Sequence, residues 1–307
     1  MPVVLCAGNI LVDILARPVG REIAWQATTW IDEIAQRVGG NAANTSCALG
    51  RMGVAVRVLG AVGNDPFGEF ALGHLREAGV DTTLVERVDL ATGSTSVLVR
   101  EDGARALLHC PGASTAALRG GVEFPEGATH LHLANPFSLR AFRGRAAETL
   151  LRARLAGLST SLDTGHDAMG EWMAVIGPCL PYLDVLLVNE DEARALTGLG
   201  VDEAAASFLR AGTRCVTVKL GAAGCAVYGK EAFRSPGFRV PVVDTTGAGD
   251  CFAGGFVARY VEGAAPEECA LWGNALGALN VQAVGGTTGL RPRAEVEAWL
   301  RDECRRR

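Results

Sequence analysis

Short runs of Val, Leu and Ile recur along the chain, separated by longer stretches in which apolar residues return every three or four positions. Residues 3–7, 54–59, 129–133, 158–163, 184–188 and 214–219 read as buried strands. Residues 44–52, 67–78, 144–156 and 202–211 carry helical periodicity. Pro66, Pro178 and Pro266 fall where helices are expected to begin or end. Strands alternating with helices predict an α/β fold, a mostly parallel sheet with helices on both faces. Such sheets bind ligands beyond the carboxyl ends of their strands.

Two regions break the rhythm. Residues 14–38 and 94–110 read as extended segments with turns. Within the second, 94–100 and 104–110 form a predicted β-hairpin around Glu101-Asp102-Gly103. Extended pieces between βα units suit a small β lid over the site, and equally suit surface decoration. No repeat or low-complexity linker divides the chain, so 1–307 reads as one domain with a lid from about 14–38 and 94–110.

Composition narrows the classes. Of 307 residues 49% are apolar and 21% charged, enough for a sizeable core. The net charge is −5, and the one basic run, Arg305 to Arg307, reads as a solvated tail, so no nucleic-acid partner is expected. Nine cysteines without a C-x-x-C pair suggest reduced thiols, and Cys251 reads as a small buried hydrophobe. The start lacks a signal-peptide pattern, and no stretch reaches the ~18 apolar residues of a membrane span. A soluble cytoplasmic protein with no membrane partner is expected.

The strongest local signal is Asp244-Thr245-Thr246-Gly247-Ala248-Gly249-Asp250, followed by small and apolar residues. Glycines that end a loop before a helix leave backbone N–H groups aimed at one spot, with the helix dipole behind them. That suits a phosphate group. A carboxylate beside an anion site is useful if it accepts a proton from an attacking hydroxyl, so Asp250 is a candidate base. The alternative is a plain helix cap. No Walker A loop occurs, and Phe252 stands where a dinucleotide fingerprint needs a small residue.

The segment DTTGAGDCFAGGF, Asp244 to Phe256, resembles the C-terminal signature of the PfkB carbohydrate kinases, the ribokinase family. Gly39-Gly40-Asn41-Ala42-Ala43-Asn44, continuing through Ala48-Leu49-Gly50-Arg51-Met52-Gly53, resembles the N-terminal one. Gly8-Asn9-Ile10 with Asp13, Gly63 to Gly68, and Asn189-Glu190-Asp191-Glu192 match in the same order, so the resemblance runs the length of the chain.

The resemblance implies a Rossmann-like α/β domain with a β lid that covers the sugar and often supports a dimer. It implies an ATP-dependent kinase acting on a sugar hydroxyl, with Asp250 as base and the amides of Gly247, Ala248 and Gly249 as anion hole. Asp13, Gly40, Asn41 and Asn44 would bind sugar hydroxyls, with His109 and Asn135 as further candidates. Asn189 and Glu192 would organise Mg²⁺, although taken alone they are an ordinary acidic helix start. Lys219, Gly221, Gly224 and Asn274 would line the nucleotide, Lys219 either touching a phosphate or covering the site. Asp244 and Thr246, with carbonyls near Gly285 and Gly286, would form a monovalent-cation (K⁺) site.

Substrate identity is not written in these motifs. Trp25 and Trp30 in the first extended segment suit the floor of a β-clasp or a dimer contact better than stacking on a ligand. Asn41 replaces the lysine usual in ribokinase itself, against a simple ribokinase label. A sugar or sugar-acid kinase is expected. The alternatives are a nucleoside kinase, which would need an aromatic base platform, and a non-catalytic sugar- or nucleotide-binding regulator, which would be expected to lack Asp250.

Overall fold

The computed structural model describes residues 1–23 and 25–306; Arg307 lies outside them, and no side chain beyond Glu303 is described, so the basic tail is not characterised. In chain order the strands are β1 (Val3–Gly8), β2 (Leu11–Val19), β3 (Glu33–Gly39), β4 (Ala55–Leu59), β5 (Ala61–Gly63), β6 (Glu86–Val88), β7 (Gly93–Arg100), β8 (Arg105–Cys110), β9 (His130–Ala134), β10 (Ser159–Asp163), β11 (Val185–Asn189), β12 (Cys215–Lys219), β13 (Gly224–Tyr228) and β14 (Ala232–Pro236). The helices are α1 (Asn41–Arg51), α2 (Pro66–Glu77), α3 (Ala146–Leu155), α4 (Met173–Ile176), α5 (Glu190–Thr197), α6 (Val201–Arg210), α7 (Ala248–Val261), α8 (Pro266–Asn280) and α9 (Arg293–Arg306).

Eight strands form the central sheet in the order β14-β13-β12-β11-β10-β9-β1-β4. From β4 to β12 every pairing is parallel, and these six strands coincide with the six runs read from the sequence. β13 and β14 extend it antiparallel. Successive residues of β1 enter opposite cores: Val4 and Cys6 join one apolar cluster with α1, α7 and α8, whereas Leu5 and Ala7 join another with α3 and α6. Burial on both faces is why these strands read as unbroken apolar runs.

Helix α7 lies tightly between α1 and α8. A Cβ on Gly254 would sit 2.4 Å from the Ala48 Cβ, and one on Gly255 would sit 2.6 Å from the Trp272 carbonyl oxygen. The small residues after Asp250 therefore set how deeply α7 is embedded. Pro66 and Pro266 open α2 and α8, and Pro178 lies in the 3-10 turn Gly177–Tyr182.

A second sheet, β3-β2-β7-β8, stands apart from the first. It leaves the carboxyl end of β1 after only Asn9 and Ile10, which puts it beside the edge where ligands bind. The β7–β8 hairpin turns at Gly103, with φ 82°. Every residue of β8 is exposed. Trp25 and Trp30 are each 91% exposed, so neither fills the floor of this sheet: the loop between β2 and β3 carries them outward. Among the described residues no helix is long and apolar enough to cross a membrane.

Candidate active site

The loop before α7 turns at Gly247, whose φ of 70° is left-handed and whose added Cβ would lie 2.3 Å from the Gly286 carbonyl oxygen. Gly247 is the N-cap residue and supplies no side chain, so Asp250 lies inside the first turn and is not the cap. Amides at the start of a helix generally have no carbonyl one turn back; here the Ala248 N–H donates to the Thr245 carbonyl at 3.3 Å, and Ala248 and Gly249 line an adjoining cavity. Asp250 is buried, and each carboxylate oxygen accepts one amide: Oδ1 from Asn41 Nδ2 and Oδ2 from Asn44 Nδ2, both at 2.8 Å. Burial raises its pKa above the ordinary carboxylate value, and the two amides oppose that rise.

Asn41 and Asn44 reach Asp250 because Gly40, at φ 99°, starts α1 at the end of β3. The Asn41 backbone N–H donates to Asn9 Oδ1 at 2.8 Å, and Asn135 Nδ2 donates to Asn41 Oδ1 at 3.0 Å. Asn44 is buried, not on the helix surface. The amide oxygens of Asn44 and Asn135 are buried without a protein donor, a lack that ligand hydroxyls can supply. Asp13 on β2 is buried; a Cβ on Gly39 would stand 2.3 Å from its Oδ2. Burial pushes the Asp13 carboxyl up to about 6, with a hydrogen bond from Thr95 opposing and the charges of Asp244 and Asp250 adding to the rise. Thr95 Oγ1 also pairs with His109 Nδ1 at 3.1 Å, which ties His109 to this group.

Next to the start of α7 lies a cavity of about 770 Å³, lined by Lys219, Gly221, Gly224, Ala248, Gly249 and Asn274 among others. Asn274 is fixed by donation from its Nδ2 to Ser235 O and Oγ, both at 3.1 Å. Lys219 Nζ donates to both oxygens of Asp163 at 2.8 Å, and it would lie 3.4 Å from a Cβ on Gly249. Burial alone would lower the lysine, but Asp163 and Glu192 hold it above its ordinary value, while burial pushes Asp163 up to about 7.

Asn189 caps α5, accepting from the Glu192 N–H at 2.8 Å, and Glu192 Oε2 accepts from the Asn189 N–H at 2.9 Å and from Thr164 Oγ1 at 2.7 Å. This pair is thus a capping box. Among the described residues no three acidic, His or Cys side chains converge as metal ligands. Mg²⁺ held by phosphates and water would suit this pair only through that water, since Asn189 Oδ1 and Glu192 Oε2 already accept within the protein.

Asp244 has different company. Its Oδ1 accepts from the Thr246 N–H at 2.9 Å, from Thr246 Oγ1 at 2.7 Å and from Arg105 Nη1 at 2.8 Å, and its Oδ2 accepts from the Gly285 N–H at 2.9 Å. The Thr246 carbonyl accepts from Asn280 Nδ2 at 2.9 Å. Of the groups expected to hold a monovalent cation, Asp244 and the Thr246 carbonyl are engaged by protein donors and the Gly286 carbonyl accepts from Cys251 Sγ at 3.4 Å, an arrangement that fits the ion poorly.

Sequence reasoning missed Thr95, Asp163, Arg105 and Asn280, and it placed Asn9 in a matching motif without giving it a role. Asp163 carried a signal: it ends the strand read at 158–163, where ligand groups gather. Arg105, beside an exposed hairpin tip, carried none.

Comparison with known proteins places the chain in a family. Over 309 aligned residues the chain is 34% identical to the ATP-dependent ribose-1-phosphate kinase of Halopiger xanaduensis, covering 98% of each chain. It is 30% identical to the 2-dehydro-3-deoxygluconokinase of Bacillus subtilis over 88% of each. Arabidopsis thaliana ribokinase, solved with ribose and ATP, superposes with a TM-score of 0.84 at 26% identity, over 97% of this chain and 98% of that one. Residues 1–293 match the family described as pfkB family carbohydrate kinase, and the chain belongs to that family of ATP-dependent sugar kinases.

Proposed function

We propose that this kinase moves the γ-phosphoryl group of ATP to a hydroxyl of a small sugar, sugar phosphate or sugar acid, with Asp250 as the base. The observation that carries this reading is the position of the Asp250 carboxylate. It is buried against Asn41 and Asn44, beside unpartnered amide oxygens of Asn44 and Asn135, and directly follows Ala248 and Gly249, which line the 770 Å³ cavity. A hydroxyl held by Asp13, Asn41, Asn44 and Asn135 would face Asp250, which takes its proton as the oxygen attacks phosphorus. The amides of Gly247, Ala248 and Gly249 stabilise charge on the transferring group, and Lys219 adds a positive charge beside them. Mg²⁺, brought with ATP, offsets the phosphate charge; Asn189 and Glu192 orient its water.

The β3-β2-β7-β8 sheet serves as the lid in this reading, with His109 and Thr95 facing the sugar. Exposed Ile34, Leu107 and Leu108 on the same sheet support pairing with a second copy, which sedimentation would test. The cytoplasm, where ATP is supplied, is the compartment this activity requires. Potassium has no part in the reading, since its donors are engaged. A nucleoside reading has less behind it, because Trp25 and Trp30 are exposed and not packed as an aromatic base platform.

Relatives named for ribose, ribose 1-phosphate and 2-dehydro-3-deoxygluconate define the screen. ADP release with Mg-ATP should be measured over sugars, sugar phosphates, sugar acids and nucleosides. Turnover with one of the first three classes is expected; turnover with nucleosides alone would contradict the proposal.

A further inference from the structure

Resting on the kinase reading above, we propose that Arg105 supplies the positive charge that the family resemblance assigns to a monovalent cation, so that catalysis here is independent of potassium. The guanidinium reaches from the first residue of β8 across to the loop before α7. Nη1 donates to Asp244 Oδ1 at 2.8 Å and to Thr246 Oγ1 at 2.6 Å, and Nη2 donates to Thr245 Oγ1 at 2.9 Å. Three contacts to three successive residues use the rigid fork that distinguishes arginine from lysine. The same group joins the second sheet to the loop that carries Gly247, so closing that sheet fixes the anion-binding amides.

A potassium ion needs several oxygen lone pairs converging on one point. Asp244 Oδ1 already accepts three hydrogen bonds and Oδ2 one. The Thr246 carbonyl is engaged by the fully buried Asn280, which is positioned from α8 independently of Arg105. The carboxylate and the carbonyl that would anchor the ion are thus both engaged, and a second cation would be repelled by the guanidinium. Arg105 is therefore a positioning residue that acts through Asp244 and the Thr245–Thr246 turn.

The test compares full-length wild type, Arg105→Ala and Arg105→Lys in potassium chloride and in tetramethylammonium chloride at equal ionic strength. Turnover and melting temperature are both read. Wild type should turn over and melt alike in the two salts. Arg105→Ala should lose ~10-fold or more in kcat in tetramethylammonium, and potassium should restore part of that loss and raise its melting temperature. Arg105→Lys, which keeps the charge, should remain indifferent to potassium. Potassium activation or selective stabilisation of the wild type would overturn the proposal. So would an Arg105→Ala variant as active as wild type in both salts, or one whose loss potassium does not repair. Should no sugar be phosphorylated at all, the melting temperatures still decide the cation question, separately from the kinase reading.

Discussion

Asn41 and Asp250 lie 209 positions apart in the chain and meet through a 2.8 Å hydrogen bond from the amide to Oδ1. The contact joins the first residue of α1 to the first turn of α7, one helix after the lid strand and one after the glycine loop. It also passes order outward, since Asn41 Oδ1 accepts from Asn135 at 3.0 Å. A buried carboxylate with two amide donors stays ionised more readily than one without them.

Asn41→Ala should therefore raise the Asp250 pKa further. A base protonated to higher pH moves the acid limb of the kcat profile upward, with kcat falling at fixed pH. Leaving Asn135 and Asp250 each short of a partner should cost about 1–3 kcal/mol of stability. An unshifted limb in a folded variant would count against the coupling.

Asp13 sets a second pH dependence. Its carboxyl sits near 6 in the folded chain, against an ordinary value of 3.8. Between those values the native state keeps a proton that the unfolded chain releases, so Asp13 makes stability fall as pH rises through that window, by at most about 3 kcal/mol. Sugar binding moves the other way. The ionised carboxylate accepts hydroxyls, so the KM for sugar should climb as pH falls below 6, and Asp13→Asn should flatten that climb while raising KM throughout.

Lys219 and Asp163 give a third expectation. Lys219→Met removes one partner of a buried pair and leaves Asp163 uncompensated, which typically costs about 3–5 kcal/mol. ATP affinity should fall with it. The double variant Lys219→Met/Asp163→Leu should recover much of the melting temperature and none of the ATP affinity, which separates packing from phosphate binding.

A magnesium requirement is expected from the charge of the triphosphate, which Lys219 alone would offset only in part. Activity should vanish in excess chelator. Glu192→Gln keeps the size of the capping side chain and should raise the Mg²⁺ concentration needed for half-maximal turnover, with sugar KM little changed.

The parallel half of the central sheet was legible because its strands are buried on both sides, as Val4 and Leu5 show by entering opposite cores. β14 was not: its alternately exposed Ala232, Arg234 and Pro236 look like a surface loop. The residues around Asp250 were legible because the glycines that shape the loop are contiguous with the carboxylate they serve. Lys219 and Asp163 are 56 positions apart on strands that only the tertiary fold aligns, and their ion pair could not be read. Arg105 was hidden for a related reason, since a charged residue beside a hairpin tip resembles ordinary solvated surface until its partners 139 to 141 positions away are known.

The most direct test of the central claim is Asp250→Asn, with turnover on the best sugar, ATP affinity and melting temperature measured on the same preparation. The N-cap of α7 is Gly247, so the substitution leaves the cap untouched. Removing a positioned proton acceptor should lower kcat by ~10²–10⁴-fold. ATP should bind at least as tightly, since a negative charge near the phosphates is gone. Melting should change little, because a neutral amide is easier to bury than a carboxylate but fits Asn41 and Asn44 less well. Loss of turnover with binding and folding retained is the predicted result; near-normal turnover in the Asn variant would contradict the assignment of Asp250 as the base.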